Sequence, residues 1–254
     1  MKRIQICPKL QSNRILASLS YEDCARICPG LQKISIKKGE VLCHPYKSPD
    51  FVYFPLSALF SLSWCLKEDS SVFASLVGNE GIIGITALYE EVPMPYMATC
   101  LHQGSAMRIS LDHLRKELKK SEQLNLNFGK YTHRLINQIG INIACSKSHD
   151  IKDQLAHFLL QSHDRISGSE ILYTQEDIAL MLGVRRERVG QAAILLQQEG
   201  KISYSRGHIS ILDAEKMKKE CCPCYHLFRS ELENLHYPAN HSNCLNNRAE
   251  ATSE

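Results

Sequence analysis

The chain has 254 residues, of which 44% are hydrophobic and 22% charged, so it can form one or two globular domains with ordinary cores. Its formal net charge is only +3, so the overall charge by itself does not indicate nucleic-acid binding. Such an argument must come from local clustering of basic residues. The 11 cysteines make up about 4% of the chain, below the ~8–10% of disulfide scaffolds, and an odd number cannot all pair within one chain.

The first residues carry basic side chains but no apolar stretch, which predicts that there is no signal peptide. No run approaches the ~18 apolar residues of a membrane span, so we expect no membrane partner. A reducing cytoplasm is therefore the expected location, with the cysteines present as thiols.

Residues 1–30 read as a helical segment, in which Ile15, Leu16, Leu19 and Ala25 predict one apolar face. The pattern then changes to short runs of β-branched and aromatic residues separated by turn residues. These runs cover residues 34–36, 51–54, 56–64, 72–77 and 97–109. Many short strands at close spacing predict a small barrel or jelly roll.

Helical periodicity begins at Leu111 and becomes strongest in a long apolar seam. The members of this seam step by three or four residues: Leu124, Phe128, Tyr131, Leu135, Ile139 and Asn142. Near-heptad spacing favours a helix that packs against a copy of itself. The alternative is a helix that lies on its own β domain. A second amphipathic helix follows, and residues 164–170 predict a polar linker.

The stretch after this linker predicts two helices joined by a tight turn. Thr174 can cap the first helix, with Asp177 as the acidic partner of a capping box. Gly183 supplies the left-handed turn that follows this helix. The second helix is expected to bury one apolar face, which consists of Val189, Ala192, Ala193, Leu195 and Leu196.

Two short alternating runs, residues 201–204 and 208–211, predict a β-hairpin after the second helix. Its tip is expected at residues 205–207 and carries one positive charge. A hairpin behind two helices, with arginines at the start of the second, is the layout of a winged helix-turn-helix. The alternative is an ordinary helical hairpin with a solvated basic face.

The segment TQEDIALMLGVRRERVGQA, followed by LLQQEGKI, resembles the C-terminal DNA-binding domain of the Crp/Fnr family of bacterial transcription regulators. The segment LQKISIKKGEVLCHPYKSPDFVYFPLSALFSLS resembles the β-roll of the same family. The resemblance implies an α+β fold with an N-terminal double-stranded β-roll, a long dimerisation helix and a C-terminal winged helix-turn-helix. The expected boundaries are 1–30, 31–118, 119–148, 149–225 and a partly disordered tail at 226–254.

This resemblance implies a homodimeric regulator that binds double-stranded DNA at a pseudo-palindromic site and contacts RNA polymerase. It favours the long helix as the dimer contact. The residues expected to read bases are Arg186, Glu187 and Gln191. Those expected to hold phosphates are Thr174, Arg185, Arg188, Ser205 and Arg206.

The cyclic-nucleotide contacts of this family are not matched in the chain. Gly81 and Gly84 are retained, but Ile85 stands where the ribose-binding glutamate is expected. Tyr96 and Met97 stand where the phosphate-binding arginine and a hydroxyl residue are expected. Because a buried cyclic phosphate would lack a cationic partner, we expect an effector other than cyclic AMP.

The cysteines offer a weaker alternative, a metal- or redox-sensing signalling protein. Cys7, Cys24 and Cys28 lack the spacing of an iron–sulfur cluster, so scattered buried thiols are the favoured interpretation. The C-terminal region supplies the better candidate metal ligands, which are Cys221, Cys224, His226 and Cys244. We nevertheless expect no metal and no cofactor, and no P-loop, GxSxG or HExxH motif points to an enzyme.

Overall fold

The computed structural model describes residues 11–67, 70–90, 93–166 and 170–233. It begins with two short helices, α1 (Arg14–Ala17) and α2 (Tyr21–Ile27), followed by a single 3-10 turn. Asn13 caps α1 and also donates hydrogen bonds to the carbonyl oxygens of Pro55 and Gly81. This helical segment is therefore anchored on the β domain, with Ile15 and Leu16 in its core, whereas Ala25, predicted to belong to the apolar face, is exposed.

Seven antiparallel strands form the β-roll. They are β1 (Gln32–Ile36), β2 (Val41–Cys43), β3 (Phe51–Pro55), β4 (Leu59–Lys67), β5 (Ser70–Val77), β6 (Tyr96–His102) and β7 (Gly104–Ser110). One sheet has the order β1-β7-β3 and the other β2-β6-β4-β5. Phe54 and Phe60, on different sheets, are fully buried between them, so the roll has the two-sheet core that its strand pattern predicts.

Helix α3 (Leu111–Leu118) closes the roll, and α4 (Glu122–Ser148) runs along it. The predicted apolar seam of α4 faces the roll: Leu124, Phe128, Tyr131 and Leu135 are buried in the roll's own core. The prediction that this seam packs against a second copy was therefore wrong. A heptad-like spacing matches one buried side of a helix equally well whether the partner is a helix or a sheet.

The opposite side of α4 carries what we call the outer stripe. Its members are exposed and follow each other at steps of three and four residues: Leu126, Gly129, His133, Ile136, Gly140 and Ile143. Ile136 is 62% exposed, and a side chain placed at either glycine would meet nothing within 4 Å. The chain thus leaves a regular, partly apolar helix face without a partner among the residues described.

The C-terminal part contains α5 (Ile151–His163), β8 (Glu170–Leu172), α6 (Gln175–Leu182), α7 (Arg186–Gln198), β9 (Ile202–Ser205), β10 (His208–Ile211), α8 (Ala214–Lys219) and α9 (Pro223–Glu233). The three strands form a small sheet of order β8-β10-β9. No helix in the described ranges has the length and apolar character needed to span a bilayer.

The C-terminal part is joined to the roll by a common apolar core. Leu59 and Leu76 of the roll lie in one buried cluster with Phe158 of α5, and Phe73 of β5 stacks edge-on against Phe158. The segment predicted as a polar linker takes part in this junction, because Arg165 is buried and its Nε lies 2.7 Å from Oε1 of Glu80.

Candidate nucleic-acid interface

Helix α6 begins with the capping box that the sequence predicts. The Asp177 N–H donates to the Thr174 hydroxyl at 3.1 Å, and the Thr174 N–H donates to the Asp177 carboxylate at 3.0 Å. Gly183 ends the helix with a φ of +65°, in the left-handed region that glycine adopts at little cost. The cap and the turn together fix the direction in which the next helix leaves.

Helix α7 begins at Arg186, with Arg185 as its cap residue in extended conformation. Val189, Ala192 and Leu196 are buried in the core shared with α5. Leu195, predicted to be buried, is 47% exposed, because it lies outside the arc that faces this core. The buried arc leaves the first turn of α7 pointing to solvent.

The wing is a two-residue hairpin. Strand β9 pairs with β10 so that Ser205 lies opposite His208, and only Arg206 and Gly207 form the loop. Both loop residues have positive φ, +48° and +84°, as a type I′ turn requires. Ser205, predicted to be part of the tip, is instead the last residue of β9. The turn places the Arg206 side chain at the end of the wing.

All eight predicted DNA-contacting residues are exposed on the outer side of the C-terminal domain: Thr174, Arg185, Arg186, Glu187, Arg188, Gln191, Ser205 and Arg206. Three of them, Thr174, Arg186 and Arg206, line one groove of about 530 Å³ between α7 and the wing. The fold therefore brings together residues from the start of α6, the start of α7 and the wing tip.

Several groups that fix this groove are not among the predicted residues. The Arg186 Nε donates to the Gln175 side chain at 3.3 Å, and the Gln197 side chain accepts the Tyr204 N–H at 2.8 Å. Burial raises the pKa of Tyr204 to about 12, so its hydroxyl stays protonated and donates to the Tyr173 carbonyl. Gln175 follows a recognisable cap, but no local sequence signal identifies the contact between Gln197 and the wing.

The N-terminus of α6 also contacts the roll. Lys38, in the turn between β1 and β2, lies 3.2 Å from the Asp177 carboxylate and donates to the Leu172 carbonyl at 2.7 Å. Burial disfavours ionisation of Asp177, but its hydrogen bond from the Thr174 backbone and the Lys38 ammonium hold its pKa below the usual value. The turn of the roll and the start of the helix-turn-helix are thus linked by a direct ionic contact.

The segment of the roll that retains two glycines is filled by apolar side chains. Gly84 has a φ of +86° and precedes a single 3-10 turn, Ile85–Leu88. Ile85 and Tyr96 are 1% and 3% exposed, and the Tyr96 ring packs on Trp64 with centroids 5.3 Å apart. Two of the residues that replace the expected polar contacts, Ile85 and Tyr96, are therefore part of the core.

The C-terminal cysteines, which include the better candidate metal ligands, lie close to residues of α4 and α5. Cys224 is buried beside Cys145 of α4 and Cys222, and the three sulfurs lie within 4.8 Å of one another. Cys221 belongs to an overlapping group with Cys222 and His157 of α5. His226 is exposed and lies in neither group, and Cys244 lies outside the described residues. The sequence could not predict that Cys145 and His157 join these groups, because both residues are far along the chain from the C-terminal cysteines.

Two family models match the chain in succession. Residues 33–121 match the model of a cyclic nucleotide-binding domain, and residues 153–220 match that of a Crp-like helix-turn-helix domain. A CRP-like cAMP-activated global transcriptional regulator of Mycobacterium tuberculosis (strain CDC 1551 / Oshkosh) is 20% identical over 202 residues, which cover 77% of this chain and 90% of that protein. The matched models thus cover both the roll and the helix-turn-helix.

Solved structures share the fold over most of the chain. FixK2 from Bradyrhizobium japonicum superposes with a TM-score of 0.64 at 16% identity, covering 76% of this chain and 98% of that one. A crp/fnr family regulator from Eubacterium rectale superposes with a TM-score of 0.63 at 17% identity, covering 82% of this chain and 98% of that one. A CRP/FNR family regulator from Thermus thermophilus, TTHA1359, superposes with a TM-score of 0.61 at 20% identity, covering 74% of this chain and 97% of that one. The chain belongs to the Crp/Fnr family of transcriptional regulators.

Proposed function

We propose that this regulator is a homodimer that reads a pseudo-palindromic DNA site with α7 and responds to an effector other than cyclic AMP. The observation that carries the proposal is the groove in which Thr174, Arg186 and Arg206 converge from three elements. A shared concave surface of this kind fits a duplex better than a flat solvated basic face does.

The residues at the start of α7 suit the major groove. Arginine forms two hydrogen bonds with guanine, and glutamine forms two with adenine. Arg186, Glu187 and Gln191 are exposed in the first two turns of this helix, so we assign base reading to them. Gln175 restrains the Arg186 guanidinium at 3.3 Å, which reduces the side-chain entropy lost on binding.

Phosphate contacts are assigned to the groups around the base readers. Their members are Thr174, Arg185, Arg188, Ser205 and Arg206. Backbone contacts of this type fix the register of a protein on DNA without carrying sequence information.

The outer stripe of α4 is the proposed dimer contact. Ile136 and Ile143 are exposed there. Each glycine in a helix interior costs about 1 kcal/mol relative to alanine, and a close approach of a second backbone would explain why Gly129 and Gly140 occur on this side. A two-fold axis along the stripe would present two copies of α7 to half-sites about 34 Å apart. RNA polymerase is a proposed partner on the basis of the family alone.

The effector is proposed not to be a cyclic nucleotide, although the relative from Mycobacterium tuberculosis carries cAMP activation in its name. Ile85 and Tyr96 occupy the core at the positions where polar contacts are expected. A phosphate placed there would be desolvated without a paired cation, which costs several kcal/mol. Calorimetric titration with cyclic AMP and cyclic GMP should give no heat of binding, and micromolar affinity for either would contradict this part of the proposal.

Sequence-specific binding is tested by selecting bound genomic fragments in a gel shift with the full chain. We expect enriched fragments to share an inverted repeat whose half-sites are one helical turn apart. Enrichment without a common motif, or no retained DNA at low salt, would instead favour a helix-turn-helix that contacts protein.

The dimer is tested by placing a charge on the stripe. Ile136→Glu should shift the chain from dimer to monomer in analytical ultracentrifugation, because two carboxylates would face each other across the two-fold axis. Leu212→Glu is the matched control, since Leu212 is equally exposed at 62% but lies after β10. A monomeric wild-type chain, or an Ile136→Glu dimer as tight as wild type, would refute this contact.

A further inference from the structure

We propose that Cys145, Cys222 and Cys224, together with His157, bind one Zn²⁺ ion in a closed site between α4 and the C-terminal domain. The sequence alone favours no metal here. The folded arrangement reverses that expectation, because it brings three sulfurs from two helices and one loop within 4.8 Å of one another, and places His157 of α5 within 4.8 Å of one of them, Cys222. The proposal concerns a site distinct from the DNA groove and does not depend on it.

The sulfur positions fit tetrahedral coordination. The Sγ atoms of Cys145 and Cys222 are 3.8 Å apart, and all three sulfurs lie within 4.8 Å of one another. At a Zn–S distance of about 2.3 Å, two sulfurs of a tetrahedral site are separated by about 3.8 Å. The three thiols are 2%, 6% and 7% exposed, so they form the solvent-excluded site that structural zinc occupies.

His157 supplies the fourth ligand. It is 4% exposed, and it forms a group with Cys222 and Cys221 within the same 4.8 Å limit. Its Nε2 lies 3.3 Å from the Asn142 Oδ1 and 2.5 Å from the Gln161 Nε2, whereas its buried Nδ1 has no hydrogen-bond partner among the described atoms. If Nε2 donates its proton to Asn142, Nδ1 carries a free lone pair, and such a second contact orients a metal-binding imidazole.

A cavity adjoins the proposed site. This cavity has a volume of about 300 Å³, and both Cys145 and His157 are among its lining residues. Other lining residues come from β5 and from the end of α6. Two of the four proposed ligands thus border a cavity at the junction between the roll and the helix-turn-helix.

Three thiolates and one imidazole select a soft or borderline ion rather than Mg²⁺ or Ca²⁺. On binding, the three thiols release their protons to solvent, so the site changes from neutral to a net charge of −1 with Zn²⁺ in place. The bound ion would tie Cys145 of α4 to the loop and helix that follow the wing. Metal occupancy would therefore fix the orientation of the DNA-reading domain relative to the helix that carries the outer stripe.

The test uses the full chain purified without oxygen, in the presence of a thiol reductant, and then given Zn²⁺ and dialysed. Elemental analysis should find about one zinc per chain. Titration with Co²⁺ in place of zinc should give the intense visible bands of tetrahedral cobalt and a thiolate-to-cobalt charge-transfer band. Absence of both zinc and the cobalt spectrum in the wild-type chain would overturn the proposal whether or not any variant folds.

Single variants then assign the ligands. Cys145→Ser, Cys222→Ser and Cys224→Ser should each lose the metal, whereas Cys100→Ser, which changes a buried thiol of the roll, should keep it. His157→Ala should change the cobalt spectrum, and Cys221→Ser should leave it unchanged. If Cys221→Ser changed the cobalt spectrum and His157→Ala did not, the assignment of His157 would be overturned.

A disulfide between Cys145 and Cys222 is the competing outcome. Mass spectrometry that finds this bond in the purified chain, with no metal binding after reduction, would overturn the zinc site. Metal content is measured without DNA, so failure of this proposal is distinguishable from failure of the proposed DNA reading.

Discussion

Two glycine turns in the molecule share a backbone conformation but are followed by different kinds of side chain. Gly84 of the roll and Gly183 of the helix-turn-helix both adopt positive φ and precede the start of a helical turn. In the roll, the next residue, Ile85, is buried in the core, whereas after Gly183 the arginines Arg185 and Arg186 face solvent. A glycine turn creates the geometry of an anion site, but the side chains that follow decide whether an anion can be bound there.

The largest effect is expected from placing a charge in the roll. Ile85→Glu puts a carboxylate at a position that is 1% exposed, and burial of an unpaired charge should lower the free energy of unfolding by about 3 kcal/mol or more. Urea denaturation followed by circular dichroism measures this loss.

Thr86→Glu is the matched control, since Thr86 is the next residue and is exposed. Beyond the loss of the hydrogen bond between Thr86 and Tyr96, we expect Thr86→Glu to change the free energy of unfolding by less than about 0.5 kcal/mol. If Ile85→Glu were as stable as Thr86→Glu, the segment would be an open pocket rather than core.

A smaller effect is expected at the first turn of α7. Arg186→Ala should weaken binding to the selected site by ~1–3 kcal/mol and relax the base preference at one position, because the paired hydrogen bonds to a base are lost. Fluorescence anisotropy on the selected site and on random DNA measures both quantities. An equal loss on both DNAs would show that Arg186 contacts phosphate instead.

The smallest effect is expected at the wing tip. Arg206→Ala should weaken binding to all sequences alike and reduce the slope of log affinity against log salt by about 1, because one phosphate contact is removed. Arg206→Lys keeps the charge and should keep the slope. A change in base preference in either variant would contradict a pure phosphate role.

The sequence alone predicted those features that are encoded by residues close together in the chain. The Thr174 cap, the Gly183 turn and the wing are each encoded within a few residues, and the structure contains all three. The alternation of apolar residues likewise predicted a roll of short strands, which the fold confirms.

The sequence was insufficient where two distant segments meet. The seam that includes Phe128 has the same spacing whether it faces a second helix or the roll, so periodicity could not choose between them. The contact between Arg165 and Glu80 joins positions 85 residues apart, and Cys145 meets Cys222 across 77 residues. Such pairings follow from packing of whole elements, for which a single sequence holds no local signal.

The common core of the roll and the helix-turn-helix has a thermodynamic consequence. Leu76 and Phe158 belong to one buried cluster, and the buried pair of Glu80 and Arg165 also joins the two parts. Neither part can therefore unfold without exposing apolar surface of the other. We expect a calorimeter to record one cooperative heat-absorption peak for the chain rather than two. The roll and the helix-turn-helix are then a single folding unit, in which a disturbance of either lowers the melting temperature of both.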